Sequence, residues 1–435
     1  MTNPSFSPAL WFTVLFVAGL LLQLVVEMWL GVRQVRHVAL HRAVVPAIFA
    51  QRIGLSAHQR AADYTVDTVR LGMFENVVSA MVLIGWTLLG GLDALNQALL
   101  SWTGPGFVQQ LLVLLAFAVI AGAISLPWGL YKTFVIEERY GFNKMTWRLW
   151  LADAMRSLLV GTLFGVPLAA AVLWLMQMAG GFWWLWAWAL WVAVNVLMMW
   201  LFPTVIAPLF NRFKPLEDVA LKDRIEALMA RSGFKSQGLF VMDGSKRSAH
   251  ANAYFTGLGS AKRVVFFDTL LNKLSGPEVE AVLAHELGHF KHKHITKRLW
   301  SFFALSFAAF ALLGWLLHQA WFYWGLGVMP AMSDGGTVLD AAVNNNSALA
   351  LILFSMVVGV FGGLVQPLWS QLSRQHEFEA DAYAVAQTNS HDLASALLKL
   401  YEDNASTLTP DPLYARFHYS HPPATERLAR MQAHA

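Results

Sequence analysis

Seven long apolar runs are the feature that most limits what this chain can fold into. A helix needs about 20 mostly apolar residues to span a bilayer. Runs of that kind lie near residues 9–31, 73–92, 108–130, 157–178, 182–207, 299–325 and 347–370. We therefore expect a mainly α, polytopic membrane protein with seven transmembrane helices.

Composition narrows the possible chemistry. Only 13% of the residues are charged, against roughly 25% in soluble domains. Cysteine is absent, which excludes disulfides, iron–sulfur clusters, thiolate zinc sites and cysteine nucleophiles. A metal ion would have to be held by histidines and carboxylates. The first apolar run follows MTNPSFSP, which has no basic residue, and no small-residue cleavage site follows it, so we expect a retained helix rather than a cleaved signal.

The basic residues indicate the orientation of the helices. All 31 Lys and Arg residues fall in alternate connecting segments, namely six in 32–72, five in 131–156, fifteen in 208–298 and five in 371–435. Short loops rich in Lys and Arg stay on the cytoplasmic side. We therefore expect an outside N-terminus and a cytoplasmic C-terminus. The net charge is only +4, and the positions of the basic residues in cytoplasmic loops account for them. We therefore expect no nucleic-acid partner.

The spans and loops divide the chain into four segments. Residues 1–207 contain the first five spans, 208–298 form a cytoplasmic segment, 299–370 contain spans six and seven, and 371–435 follow them. Segment 208–298 predicts an amphipathic helix over 211–233, ending at Gly233, short strands at 239–243, 252–256 and 263–268, and a helix over 275–294. Ser275 or Gly276 can cap that last helix, with Pro277 at its first position. We therefore expect a small α+β domain on the cytoplasmic side.

The helix over 275–294 contains the sequence His-Glu-Leu-Gly-His at residues 285–289. Residues four apart lie on one helix face, so the imidazoles of His285 and His289 can bind one metal ion. Glu286 would then stand beside the attacking water as a general base. In a shuffled chain of this composition the motif is expected roughly 0.01 times, which makes a chance match a poor explanation.

A catalytic zinc ion needs a third protein ligand. His292 and His294 are expected to point away from the site on a straight helix. Glu377 and Asp381 in EFEAD share a helix face, so one can bind the metal while the other fixes a ligand histidine. Glu379 is expected to face solvent. The alternative without a metal site is that the whole stretch is an ordinary charged helix. Spans six and seven form a hairpin that would bring HELGH and EFEAD together on the cytoplasmic side.

Several sequence blocks resemble the type I CAAX prenyl protease family, the integral-membrane zinc metalloproteases that include the a-factor-converting enzymes. These blocks are RAADYTVDTVRLGM (60–73), FVIEERYGFNKMT (134–146), PLFNRFKPLED (208–218), SAHANAYFTGLG (248–259), KRVVFFDTLL (262–271), VLAHELGHFKHKH (282–294), EFEADAYA (377–384) and HYSHPPATERL (418–428). They occur in the family's order along nearly the whole chain.

The resemblance implies a role for each matching residue. It assigns one Zn²⁺ ion per chain to His285, His289 and Glu377, with Glu286 as the catalytic base and Asp381 as the partner of a ligand histidine. In the same way Asn252 resembles the residue that holds the substrate backbone, and His421 the one that stabilises the oxyanion at the scissile carbonyl. Without the resemblance, Asn252 reads as a turn residue and His421 as a surface histidine. We expect Arg427 to be a structural ion-pair partner.

The family fold implies seven helices around a water-filled chamber, capped by a cytoplasm-facing, zincin-like α+β domain. Polar residues in or near the spans fit a chamber, although most of them also lie near span ends and need none. They are Gln23, Glu27, Glu75, Asn76, Asn195, His318 and Gln366.

We therefore expect a membrane-embedded zinc metalloendopeptidase that hydrolyses the bond after a prenylated cysteine near a protein C-terminus. Its partners would be the bilayer and a peptide or protein substrate. The composition and short outer loops are typical of a bacterial inner-membrane protein; in a eukaryote the endoplasmic reticulum is expected.

One alternative is a broad quality-control protease for membrane proteins. A transporter or channel is the alternative from another class, but it would have no need for HELGH joined to a distant EFEAD. A catalytically dead scaffold is disfavoured because every residue that the chemistry needs is present.

Overall fold

A computed structural model describes residues 7–234, 238–256, 263–338 and 346–433. Residues 257–262, which end the SAHANAYFTGLG block and begin KRVVFFDTLL, lie outside the described residues, as do most of MTNPSFSP and part of the loop before the last span. The helices are α1 Pro8–His41, α2 Leu55–Trp86, α3 Gly91–Thr103, α4 Phe107–Tyr131, α5 Trp147–Met178, α6 Trp183–Leu201, α7 Ala207–Phe210, α8 Val219–Arg231, α9 Asp268–Leu271, α10 Gly276–Lys291, α11 His294–Leu316, α12 Ala320–Trp324, α13 Ser347–Gln387, α14 Ser390–Asp403, α15 Pro412–His418 and α16 Ala424–Ala433. The strands are β1 Phe213–Pro215, β2 Leu239–Met242, β3 Ala253–Thr256 and β4 Arg263–Phe267.

In the described part of the chain, seven helical segments are long and apolar enough to cross a membrane, which confirms the predicted number of spans. π-helical turns at Lys132–Glu137 and Phe202–Ile206 extend the third and fifth of them. The segments are Pro8–His41, Leu55–Trp86, Phe107–Glu137, Trp147–Met178, Gly180–Phe210, His294–Leu316 and Ser347–Gln387.

Several boundaries differ from those expected from hydropathy. The second span begins at Leu55 and ends at Trp86, and the seventh continues to Gln387. Hydropathy misses the first turns of α2 and the last turns of α13 because these turns contain charged residues and lie beyond the apolar run. The sixth span ends at Leu316. Because the seventh span extends to Gln387, EFEAD lies within the last turns of α13 and does not follow it.

A helix outside the membrane spans was not expected from hydropathy. α3 fills most of the predicted loop 93–107, where it packs on α4. The amides of Gln109 and Asn96 are hydrogen-bonded at 2.8 Å, and Gln110 donates to Gln109 at 2.6 Å. The other end of the Gln110 amide accepts from the backbone N–H of Ala348 at 2.7 Å. This network satisfies a free N–H at the start of α13, as helix ends require.

The four strands form one small sheet in the order β1-β2-β4-β3. β1 is antiparallel to β2, β2 is parallel to β4, and β3 is antiparallel to β4. The strands predicted at 239–243, 252–256 and 263–268 are confirmed within a residue at each end. β1 was not predicted, because its residues, Phe213–Pro215, were included in the predicted amphipathic helix. The helix itself starts at Val219, where the Asp218 side chain caps the N–H of Leu221 at 2.9 Å.

The helix that carries HELGH begins as its sequence indicates. Ser275 and Glu278 form a capping box at its start, with Pro277 in the first turn. Such reciprocal bonds satisfy two of the free N–H groups at a helix N-terminus. The helix ends at Lys291, earlier than predicted, because Lys293 adopts a left-handed backbone conformation with φ 57°.

Two apolar cores lie at opposite ends of the membrane helices. One joins the sheet, α8, α10, the end of α13, α14 and α16; we call it the site-end core. The other joins the opposite ends of the spans and α12; we call it the far-end core. Between them lies a cavity of about 500 Å³. Four of the polar residues predicted to face a chamber line it, namely Gln23, Glu27, Asn76 and Gln366.

Candidate metal centre

The site is built where α10 crosses the last turns of α13. Gly288 makes this crossing close, because a Cβ there would lie 2.8 Å from the Cα of Ala380. Contacts that short are not tolerated against backbone, so a side chain at this position would separate the helices. The glycine inside HELGH therefore lets His285 and His289 approach Glu377.

His285, on α10, is buried and held by an ion pair. Its Nδ1 donates to Asp381 Oδ1 at 2.7 Å, which leaves Nε2 directed at Glu377 Oε2, 3.3 Å away. Burial lowers the pKa of His285, but the hydrogen bond to Asp381 and the nearby carboxylate of Glu377 outweigh burial and raise that pKa to about 9. The two carboxylates therefore make the surroundings of Nε2 favourable for positive charge.

Arg427 completes this arrangement from α16. Its guanidinium donates to both oxygens of Asp381, from Nε at 2.8 Å and from Nη2 at 2.6 Å. The side chains of Arg427 and Asp381 are 9% and 6% exposed. The paired, bidentate hydrogen bonds offset the cost of removing these charges from water. The expected structural ion pair of Arg427 is thus present, and its partner is the carboxylate that orients His285.

Glu377 faces three imidazoles. His289 Nε2 lies 3.3 Å from Oε1, and His421 Nδ1 lies 2.7 Å from Oε2. Oε2 is buried and accepts no well-aligned hydrogen bond in spite of these neighbours. One ligand atom each of His285, His289 and Glu377 lie within 4.8 Å of one another. Both histidines present Nε2 to the same carboxylate at 3.3 Å, so the three residues fit a metal ion.

The other residues singled out by the sequence lie around this group. Glu286 is half-buried, and no hydrogen bond or ion pair of its side chain occurs within the described ranges. His421 reaches Glu377 although its side chain is 61% exposed. Asn252 is exposed and directly precedes the edge strand β3; its side chain accepts from its neighbour's N–H, that of Ala253, at 2.8 Å.

Two histidines expected to point away occupy different positions. His292 is exposed. His294 is buried, and its Nδ1 lies 3.0 Å from Nδ1 of His289. Glu379, expected to face solvent, is 35% exposed and lies 2.8 Å from His294 Nε2. Helix geometry correctly turns Glu379 away from Glu377, but it could not show that α11 packs there.

With this geometry established, the chain can be compared with known proteins. Residues 34–212 match the CAAX prenyl protease N-terminal domain of five membrane helices. Residues 215–435 match peptidase family M48. The chain belongs to the M48 family. It is therefore an integral-membrane, multi-pass metalloprotease, which removes a transporter, a channel and an inert scaffold from consideration.

Similarity to individual relatives extends over nearly the whole chain. CAAX prenyl protease 1 of Saccharomyces cerevisiae is 34% identical over 93% of this chain and 92% of its own. The CAAX prenyl protease 1 homolog of Arabidopsis thaliana is 33% identical over 95% of both chains. The crystal structure of S. mikatae Ste24p superposes with a TM-score of 0.88 at 30% identity, covering 99% of this chain and all of that one.

Proposed function

We propose that this chain is a zinc endopeptidase of the CAAX prenyl protease 1 type, which hydrolyses the peptide bond after a prenylated cysteine near a protein C-terminus. The observation that carries the proposal is the convergence of His285, His289 and Glu377 at a buried point in a chain about one-third identical to CAAX prenyl proteases. Two imidazoles and one carboxylate are the ligand set of many catalytic zinc sites.

In this proposal His285 Nε2, His289 Nε2 and the Glu377 carboxylate would hold a Zn²⁺ ion, which when bound would supply Lewis-acid polarisation of the scissile carbonyl. Asp381 holds His285 in the tautomer that presents Nε2. Arg427 neutralises Asp381 and keeps it oriented. These contacts fix the ligands before substrate arrives, which is the usual task of such supporting groups.

Glu286 acts as the general base. It follows His285 on the same helix, and its carboxylate has no partner among the described residues that would compete for a proton. It takes a proton from the attacking water and later delivers it to the leaving amine, so that the carboxylate is regenerated. His421, whose side chain is 61% exposed, donates a hydrogen bond to the oxyanion of the tetrahedral intermediate.

Asn252 and the edge strand that follows it would hold the substrate. An unpaired strand edge binds an extended peptide through backbone hydrogen bonds. The prenyl group needs an apolar environment beside the site. A cavity of about 630 Å³ between α11 and α13 offers one, with Phe302, Leu305 and Trp369 in its wall and His376 and Ser420 at the end next to the site.

The proposed membrane orientation places the metal site in the cytoplasm. It rests on the collection of all 31 Lys and Arg residues in alternate loops. Because the chain has no cysteine, Ser101→Cys in α3 and Glu226→Cys in α8 each create a single thiol. In intact cells an impermeant maleimide should label the first and not the second; the reverse result would invert the orientation.

Cleavage of one peptide in two forms tests the proposed activity. The purified chain is assayed on a peptide ending in Cys-aliphatic-aliphatic-X, with and without a farnesyl group on the cysteine. We expect preferential cleavage of the farnesylated form. We also expect Glu286→Gln to retain zinc while kcat falls by about 10²–10⁴-fold, the range for loss of a general base.

Other outcomes would change the proposal in distinct ways. Equal cleavage of both peptides would keep the zinc mechanism but make the chain a broader protease for membrane proteins. Full activity in Glu286→Gln would contradict the role of that carboxylate. Glu226→Gln, on the exposed face of α8, serves as the matched control and should leave both rates unchanged.

A further inference from the structure

A line of hydrogen-bonding groups leads away from the metal centre on the side of His289. The Nδ1 atoms of His289 and His294 lie 3.0 Å apart. On the other side of the His294 ring, Nε2 lies 2.8 Å from Glu379 Oε2. The proposed function uses His289 only through its Nε2, and it uses neither His294 nor Glu379.

The direction of these hydrogen bonds follows from what each group can donate. A neutral imidazole carries one hydrogen, and the ring nitrogen that binds a metal must be the one without it. If Nε2 of His289 is free for the metal, its Nδ1 carries the hydrogen and donates to Nδ1 of His294. The hydrogen of His294 must then be on Nε2, where it donates to the Glu379 carboxylate, which only accepts.

The opposite arrangement of neutral rings fails at the same contacts. If His294 donated from Nδ1 to His289, its Nε2 would be bare and would face a carboxylate oxygen at 2.8 Å. Two acceptors that close repel each other. The carboxylate of Glu379 therefore selects the tautomer of His294, and His294 selects the tautomer of His289 that leaves Nε2 free.

The fold holds this line of groups in place. Lys293 takes a left-handed conformation between α10 and α11, a costly backbone state for a residue with a Cβ. It allows His294, five residues after His289, to return to the same side. The His376 ring stacks on His294 with centroids 3.9 Å apart and an 11° interplanar angle. The Gln375 amide donates to the second oxygen of Glu379 at 3.3 Å.

We propose that His294 and Glu379 are positioning residues that fix the tautomer and ring orientation of His289. This inference rests on the proposed metal site and extends it. The two ligand histidines would then be held differently. His285 donates directly to a buried carboxylate paired with Arg427, whereas His289 is held through a neutral imidazole whose carboxylate is one-third exposed.

A second divalent-metal site is the competing interpretation of the same residues. One ligand atom each of His292, His294 and Glu379 lie within 4.8 Å of one another. The line of hydrogen bonds from His289 through His294 to Glu379, which we call the relay, is the favoured interpretation. His294 Nδ1 already faces His289, and His292 is exposed. The two interpretations predict different metal counts, one or two ions per chain.

Zinc affinity of the full chain in detergent tests the relay. Competition with a chromogenic chelator gives the affinity, and the visible absorption of the Co²⁺-substituted protein reports ligand geometry. His294→Phe keeps a ring that can stack on His376 but has no nitrogen. We expect it to weaken zinc binding by about 10–100-fold, the usual cost of losing such a partner, and to shift the cobalt bands.

Variants at Glu379 and His292 provide the matched controls. Glu379→Leu removes the acceptor and should weaken zinc binding by about 10-fold, whereas Glu379→Gln keeps an acceptor oxygen and should restore affinity and spectrum. His292→Phe should change neither. Should His294→Phe fail to fold, as judged by circular dichroism and gel filtration, the Glu379 pair decides, because that position is partly exposed.

Three results would overturn the inference. One is wild-type affinity and cobalt spectrum in both His294→Phe and Glu379→Leu, which would leave the proposed function intact. Another is two zinc ions per wild-type chain, one of them lost in His292→Phe, which would establish the second metal site. A wild-type chain that binds no zinc would overturn the proposed function together with the relay.

Discussion

The site-end core and the far-end core bury polar groups in opposite ways. In the site-end core the buried side chains include full charges, and each has an oppositely charged or hydrogen-bonding partner: Glu278, Glu280, Arg374, Asp381 and Arg427. In the far-end core the buried polar side chains that the structure describes are neutral, as in Asn96, Gln109 and Gln110. Those amides satisfy one another and the start of α13.

The difference reflects what surrounds each core. The site-end core is a small α+β body, and its apolar faces point inward. The membrane helices are apolar on the outside as well, with Trp11 61% and Trp300 71% exposed. In lipid, apolar surface gives little preference for inside over outside, so hydrogen bonds and close backbone contacts select the packed face. The following predictions test whether the two regions differ in this way.

The largest effect is expected from Arg427→Met. It would leave Asp381 buried without its bidentate partner, and breaking a buried pair in this way costs about 3–5 kcal/mol. Thermal and denaturant unfolding in detergent would measure the loss. Arg416→Met, at an exposed arginine of α15, is the control and should change stability by less than about 0.5 kcal/mol. Equal effects of the two variants would contradict the picture of a site-end core that depends on paired charge.

Gly288→Ala should have the next largest effect. Its Cβ would lie 2.8 Å from the backbone of Ala380, so α10 and α13 must separate, at a cost of up to about 3 kcal/mol. Zinc affinity should fall with it, because the separation moves both histidines from Glu377. Gly161→Ala in α5 has open space around its Cβ and should be neutral or stabilising by about 1 kcal/mol. Loss of stability without loss of zinc would contradict the link between helix spacing and the site.

Glu278→Gln probes a buried charge away from the metal. Burial raises the pKa of Glu278, but Lys399, Ser275 and Ser395 outweigh burial and lower it from 4.5 to about 2. A carboxyl whose pKa falls on folding stabilises the fold above its unfolded pKa. The wild type should therefore exceed the variant by about 1–2 kcal/mol at pH 7, and this advantage should shrink as pH falls from 4.5 towards 2. A difference that is constant across that range would show that the charge contributes nothing.

The smallest effects are expected among the membrane helices. Gln110→Leu leaves the N–H of Ala348 without its acceptor and should cost about 1 kcal/mol. Asn76→Leu, in the wall of the cavity, removes no side-chain hydrogen bond within the described part of the chain and should stay within about 0.5 kcal/mol. The same unfolding assay measures both. If Asn76→Leu costs more than Gln110→Leu, the cavity polar groups contribute more to packing than the amide network does.

The parts of the site that sequence could predict are those set by local geometry. The four-residue spacing of His285 and His289, the shared face of Glu377 and Asp381 and the Ser275 cap all follow from one helix at a time. The ion pair of Arg427 was anticipated only in kind, because its partner lies on another helix. The relay through His294 was missed because it depends on the turn at Lys293 and on α11 packing against Glu379.

The fold divides in the same way. Hydropathy predicts seven spans because a run of apolar residues has few alternatives in lipid. It does not predict α3, whose place depends on amides of α4, or the extension of α13 through EFEAD. The extension matters most, since one continuous helix carries Glu377 from the membrane to the metal centre.

Anomalous X-ray scattering at the zinc edge, from crystals of the protein purified without added metal, tests the central claim most directly. The account predicts a single peak between the Nε2 atoms of His285 and His289 and the carboxylate of Glu377, present also in Glu286→Gln. A peak only among His292, His294 and Glu379, or none at either place, would contradict it.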